Sequence, residues 1–160
     1  MNVRNVEPDL DGTGLSVGVA LSTFNEAITS PMLDAVLETL EAHGVSEVTV
    51  VKAPGALELP VIARALARDN DAVIAVGAVI EGETDHYEHV ATQGSAGLMQ
   101  VSIRTGVPVA NALLTVREVK HAMGRSRPGP SNRGAEAAKA ALIAATAIRE
   151  LRPQSPGAGF

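Results

Sequence analysis

The run Gly77-Ala78-Val79-Ile80-Glu81-Gly82-Glu83-Thr84-Asp85-His86-Tyr87 holds the residues best suited to chemistry in this chain. An apolar stretch ends in a glycine turn, and a polar cluster with one histidine opens a predicted helix. Backbone N–H groups at a helix N-terminus bind anions such as phosphate, and a histidine moves protons near neutral pH. On this reading the N–H groups of Glu83 and Thr84 hold a phosphate and His86 transfers protons. A plainer reading makes Thr84 an N-cap, with Asp85 and Glu88 complementing the helix dipole. Glu83 and Asp85 would also repel an anion. A third reading takes His86 and His89 with Asp85 as metal ligands, but no zinc-type spacing accompanies them.

Three further segments carry functional residue types. Phe24-Asn25 lies in the polar segment STFNE beyond an apolar run. A ring there either joins the core or stacks on a planar heterocycle. Ala53-Pro54-Gly55-Ala56-Leu57-Glu58 joins a tight Pro-Gly turn to a helix start. Glu58 either complements that helix's dipole or accepts hydrogen bonds from sugar-like hydroxyls. Arg125, Arg127 and Arg133 are solvated cations, or at least one of them neutralises the phosphate. There is no GxGxxG, Walker A, nucleophile elbow or HExxH, so ATP and NAD chemistry are not suggested.

The elements that must position these residues follow from the hydrophobic pattern. Apolar runs predict strands at 15–21, 48–51, 72–80 and 107–114. Helical stripes predict helices at 31–43, closed by Gly44, and at 57–68, 84–105 and 132–151, with a short one at 117–124. Strands that alternate with helices and lack period-2 polarity imply a parallel sheet covered on both faces. Ligands in such folds bind beyond the carboxyl ends of the strands, here 22–25, 53–58, 77–86 and 111–116. Residues 1–14 read as an arm, flexible or bound to a partner, residues 15–151 as one α/β domain, and residues 152–160 as a frayed tail.

Composition narrows the class. At 160 residues and 46% hydrophobic content, one domain can fill a real core. The chain has no cysteine, which removes disulfides, thiolate nucleophiles and cysteine-ligated zinc, and fits a reducing compartment. No apolar run approaches the roughly 20 residues that span a bilayer, and the polar, acidic start does not read as a secretory signal. A cytoplasmic location without a membrane partner is expected. A net charge of −5 argues against a nucleic-acid partner, so an anionic substrate needs a local cation. The aromatics are Phe24, Tyr87 and Phe160 alone, so the core must be built from Ala, Val, Leu and Ile.

In order and spacing, these pieces resemble the 6,7-dimethyl-8-ribityllumazine synthase family of riboflavin biosynthesis, from about residue 15 to residue 151. The matching motifs are Phe24-Asn25, Pro54-Gly55-Ala56-Leu57-Glu58-Leu59-Pro60, the 77–87 run, Pro108-Val109-Ala110-Asn111 with Leu114-Thr115, Arg125, and Asn132-Arg133-Gly134-Ala135-Glu136-Ala137-Ala138. The expected fold is a flavodoxin-like, single-domain three-layer α/β sandwich with a four-stranded, mainly parallel sheet. The expected reaction joins 5-amino-6-(D-ribitylamino)uracil to 3,4-dihydroxy-2-butanone 4-phosphate, with no metal and no cofactor.

The resemblance implies a role for each matching position. Phe24 would stack on the pyrimidine, with Asn25 beside it. Ala56, Leu57 and Glu58 would hold the ribityl chain, and Ala78, Val79 and Ile80 would line the ring pocket. Gly82, Glu83, Thr84 and Arg125 would bind the phosphate, and His86 would transfer protons, while Tyr87 packs. Asn111, Arg125 and Arg133 would approach from a neighbouring subunit of a homo-oligomer, a pentamer or a multiple of it, with which the N-terminal arm could also pair. The chain departs from the family at Glu81, where Arg or Lys is common, and at Leu57, Val116 and Arg133. Two other functions share this fold: a binding or scaffold relative without turnover, which Glu81 would favour, and an archaeal-type riboflavin synthase, which would need no phosphate site.

Overall fold

Apolar runs buried on both faces become strands, and the amphipathic stretches between them become the helices that cover them. The computed structural model describes residues 1–152. Its elements run β1 (Ser16–Ser22), α1 (Glu26–Ala42), β2 (Glu47–Ala53), α2 (Leu59–Leu66), β3 (Ala72–Ile80), α3 (His86–Thr105), β4 (Val109–Val116), α4 (Val119–Ser126) and α5 (Arg133–Leu151). The strands form one four-stranded sheet in the order β2-β1-β3-β4, and all neighbours are parallel. The sheet expected to be mainly parallel is wholly so, because a helix separates each strand from the next.

Side chains alternate across the sheet and feed two cores. Val17, Val19, Leu21, Ile74, Val76 and Leu114 pack with Met32, Val36 and Leu40 of α1 and Leu142 of α5. On the other face, Ala20, Val73, Ala75 and Leu113 pack with Leu59, Ala63 and Leu66 of α2 and Leu98 and Val101 of α3. The result is a three-layer sandwich whose cores are aliphatic, as the scarcity of aromatics requires. Small residues let the helices come close: Ala137, Ala138, Ala141 and Ala145 of α5 are buried, and a Cβ at Gly134 would collide with the Met32 carbonyl.

Several element bounds differ from the sequence reading for local reasons. The first helix begins at Glu26, not at Pro31, because Ile28 lies one turn before Met32 on the buried face and extends the apolar stripe across the proline. The second starts at Leu59 rather than 57, since Pro60 is tolerated only in the first turn. The fourth strand starts at Val109 because Pro108 lacks an N–H for the ladder, and it runs on to Val116, which pairs with Ile80. The third helix starts at His86, so Asp85 and not Thr84 takes the N-cap position.

Residues 1–14 contain no strand and lie along α5. There Arg4 Nη2 donates to the Glu150 carbonyl (2.9 Å), Thr146 Oγ1 to the Asp9 carbonyl (3.0 Å) and Arg149 Nη1 to the Thr13 carbonyl (3.2 Å). The expected tail at 152–160 falls outside the described residues except for Arg152. Among the described residues, no helix is long and apolar enough to cross a membrane.

Candidate functional site

The strand order creates a topological switch between β1 and β3: β1 leads outward to β2, and β3 leads the opposite way to β4. Parallel sheets leave a crevice beyond the carboxyl ends of the strands at such a point. Here the crevice is a cavity of about 450 Å³, walled by the segments that leave three strands. Phe24 and Asn25 come from the end of β1, and Pro54 to Glu58 from the end of β2. Ala78, Val79 and Ile80 come from β3, followed by Gly82, Thr84, His86, Tyr87 and Val90 into α3.

The β1 loop is held from both sides. Asn25 has φ 60 and ψ 47, a left-handed conformation that asparagine tolerates better than most residues. Its Nδ2 donates to the Ala78 carbonyl (2.8 Å), tying the loop across the switch to β3. Thr23 N and Phe24 N donate to the carbonyls of Ala53 and Pro54, tying it to β2 (2.8 and 3.1 Å). Phe24 stands on this clamped loop at 71% exposure, against the usual fate of an aromatic ring. Its ring is an exposed apolar face at the cavity wall, fit to stack on a planar ligand.

At the β2 end the backbone N–H of Gly55 donates to Glu58 Oε2 (3.0 Å), closing the turn that starts α2. A carboxylate accepts about four hydrogen bonds, so Glu58 can hold this turn and still accept from ligand hydroxyls. The turn also lies close to α3, where a Cβ at Gly94 would come within 3.2 Å of the Ala56 carbonyl.

At the β3 end the Asp85 side chain makes no cap hydrogen bond to α3, which leaves N–H groups at its start open to an anion. Gly82 and Thr84 line the cavity there, whereas Glu83 does not. His86 opens the helix, exposed to solvent and facing the cavity. His89 does not line it, and among the described residues no group of three His, Asp or Glu side chains could hold a metal ion. Glu81 lies just outside, its carboxylate 3.5 Å from Arg117 Nε.

Asn111, Arg125 and Arg133 do not reach this cavity within one chain. They form a second cluster where β4, α4 and α5 meet. Arg133 Nη2 donates to the Asn111 carbonyl (2.9 Å), and Glu136 Oε2 accepts from Arg133 Nη1 (3.2 Å) and Arg125 Nη2 (3.1 Å). Glu136, to which the sequence reading gave no role, thus orients both arginines. Its position three residues after Arg133 on a helix was the available signal. Val90 also lines the cavity, as do Pro54, Gly55 and Tyr87, which belong to the candidate segments but were given no contact with substrate. Val90 follows from the helical period, four residues after His86. Tyr87, expected to pack, is half-buried and forms part of the wall.

The profile described as 6,7-dimethyl-8-ribityllumazine synthase matches residues 14–149. A protein of that name from Mycobacterium sp. (strain KMS) is 43% identical over 150 residues, covering 92% of this chain and 94% of the relative. One from Thermococcus kodakarensis is 41% identical over 155 residues, covering 95% and 98%. One from Thermobifida fusca is 43% identical over 148 residues, covering 91% and 87%.

Proposed function

The chain belongs to the 6,7-dimethyl-8-ribityllumazine synthase family, and we propose that its reaction takes place in the cavity at the β1–β3 switch. The enzyme is a transferase of riboflavin biosynthesis. It condenses 5-amino-6-(D-ribitylamino)uracil with 3,4-dihydroxy-2-butanone 4-phosphate to 6,7-dimethyl-8-ribityllumazine, releasing phosphate and water. The observation that carries the site assignment is the convergence of Phe24, Glu58, the uncapped α3 start and His86 on one cavity.

Each wall then has a task. Phe24 stacks on the pyrimidine, and the backbone at Ala78, Val79 and Ile80 borders its edge. The 55–58 turn and Glu58 take the ribityl hydroxyls. Gly82 and Thr84 hold the phosphate end. The substrate amine attacks the ketone, and loss of water gives an imine. A proton leaves carbon as phosphate is expelled, and ring closure releases a second water. His86 serves as base and then as acid in these steps. Holding both substrates face to face supplies much of the remaining acceleration. The sequence of proton transfers and dehydrations requires neither a metal nor a redox cofactor.

A phosphate needs a cation, and neither Arg nor Lys lines the cavity of one chain. Arg125, Arg133 and Asn111 of a neighbouring copy complete the site in a cytoplasmic homopentamer or a multiple of it. Val61 on α2 and Met99 and Ile103 on α3, exposed at 65%, 62% and 73%, offer apolar area for such an interface. Arg125→Ala should therefore raise KM for the butanone phosphate about tenfold, a typical loss for one charged hydrogen bond, with KM for the pyrimidine little changed. Equal effects on both substrates would remove the phosphate role. Assayed with the butanone phosphate well below its KM, reassembled mixtures of Arg125→Ala and His86→Ala subunits should recover activity above either parent, and no recovery would argue for a site within one chain.

Mixing the purified protein with both substrates and following lumazine fluorescence tests the reaction itself. Product should accumulate well above the spontaneous rate. A rate equal to that of the protein-free mixture would leave a binding protein without turnover.

A further inference from the structure

Glu81 and Arg117 occupy equivalent places just past the last register pair of β3 and the edge strand β4, Ile80 with Val116. Glu81 N donates to the Val116 carbonyl (2.9 Å), which fixes the two residues side by side. Their side chains meet, Arg117 Nε lying 3.5 Å from Glu81 Oε2. Gly82, the next residue, lines the cavity. Consecutive Cα atoms are about 3.8 Å apart, well inside the ~8 Å over which charge is felt at physiological salt. The segment 81–85 carries three carboxylates, Glu81, Glu83 and Asp85, all exposed. An anion approaching the start of α3 meets this negative field. Among the described residues, Glu81 is the one of the three with an ion-pair partner.

We propose that Arg117 is a positioning and charge-setting residue for the anion site, neutralising Glu81 so that Gly82 and Thr84 can accept phosphate. The proposal rests on the reading of the cavity as the place where the phosphate end binds. Glu81 alone would oppose an anion at this rim. Paired, the two residues contribute no net charge, and the helix start keeps its attraction for anions. The role is carried by the pair rather than by contact between Arg117 and phosphate, since Arg117 does not line the cavity.

Titration of the intact oligomer with inorganic phosphate, followed by ³¹P NMR, reads this without depending on turnover. Arg117→Gln should raise the Kd about threefold, the scale of one exposed and screened charge. Glu81→Gln should lower it by a similar factor. The double variant Glu81→Gln with Arg117→Gln, and the exchange Glu81→Arg with Arg117→Glu, should return the wild-type value. The differences should vanish near 1 M salt, where screening acts within about 3 Å. An Arg117→Gln protein equal to wild type overturns the proposal, as does a double variant as weak as Arg117→Gln. A wild-type protein that binds no phosphate overturns it together with the phosphate site. A protein that shows the predicted pattern yet forms no lumazine refutes the catalytic reading and leaves the charge pair standing. A protein that forms lumazine with all variants binding alike does the reverse.

Discussion

Replacing His86 with alanine is expected to lower kcat about 100-fold with little change in either KM. Positioned acid–base groups usually contribute 10²–10⁴-fold. The lower end applies because His86 is exposed at the first residue of α3, where water can take over part of the proton transfer. The remaining catalysis comes from holding two substrates in one cavity, which the substitution leaves intact. His86→Gln should behave like His86→Ala, since an amide does not titrate. His89→Ala should stay close to wild type, because that ring is on the same helix but not at the cavity. Steady-state rates of lumazine formation decide it. A kcat within twofold of wild type for His86→Ala would remove the histidine from the mechanism.

The second large effect concerns stability. Asn132→Ala should cost about 3 kcal/mol, combining a lost N-cap of ~1 kcal/mol with buried carbonyls left unpaired at 1–3 kcal/mol. Asn132 is fully buried, and its Oδ1 caps α5 by accepting from Gly134 N (2.8 Å) and Ala135 N (3.3 Å). Its Nδ2 donates to the carbonyl of Ser126 at the end of α4 (2.6 Å). The same amide lies 3.2 Å from the Arg127 carbonyl and 3.4 Å from that of Pro31 in α1. One side chain thus fastens three helices, and no other residue supplies both donor and acceptor in that shape. Asn132→Asp keeps the cap acceptor but sets an acceptor-only, charged oxygen against the Ser126 and Arg127 carbonyls in a buried site, so it should cost at least as much as alanine. For a domain of this size, thermal melts at one protein concentration should show a fall of about 6–12 °C for alanine. A fall under 2 °C would mean that the network is dispensable. Because Arg133 follows directly, the same substitution should disturb the cluster with Glu136 and Asn111.

Asn132 illustrates how far the sequence can be read. The motif Asn132-Arg133-Gly134-Ala135-Glu136 was visible, and helix-capping chemistry explains an asparagine before a helix. Nothing local says that its amide group reaches Ser126, or that Gly134 is required by the Met32 carbonyl on another helix. Asn25 is similar. Its place after a strand was legible, whereas its role as a clamp on the Ala78 carbonyl depends on two strands being neighbours. Glu81 shows the opposite error of scale. In the sequence it is one more negative charge beside an anion site, and only strand pairing brings Arg117 against it.

Local pattern and chemistry by themselves determined the strand–helix alternation, the parallel sheet, the aliphatic core and the segments at the strand ends. Periodicity, turn residues and composition act over a few residues and need no partner to be read. The order β2-β1-β3-β4 was decided by tertiary packing, and with it the switch at which Phe24, Glu58 and His86 meet. The separation of Asn111, Arg125 and Arg133 from that cavity was decided there too. Which strands lie side by side depends on burying both faces of the sheet at once, a condition on the whole chain that no single segment contains.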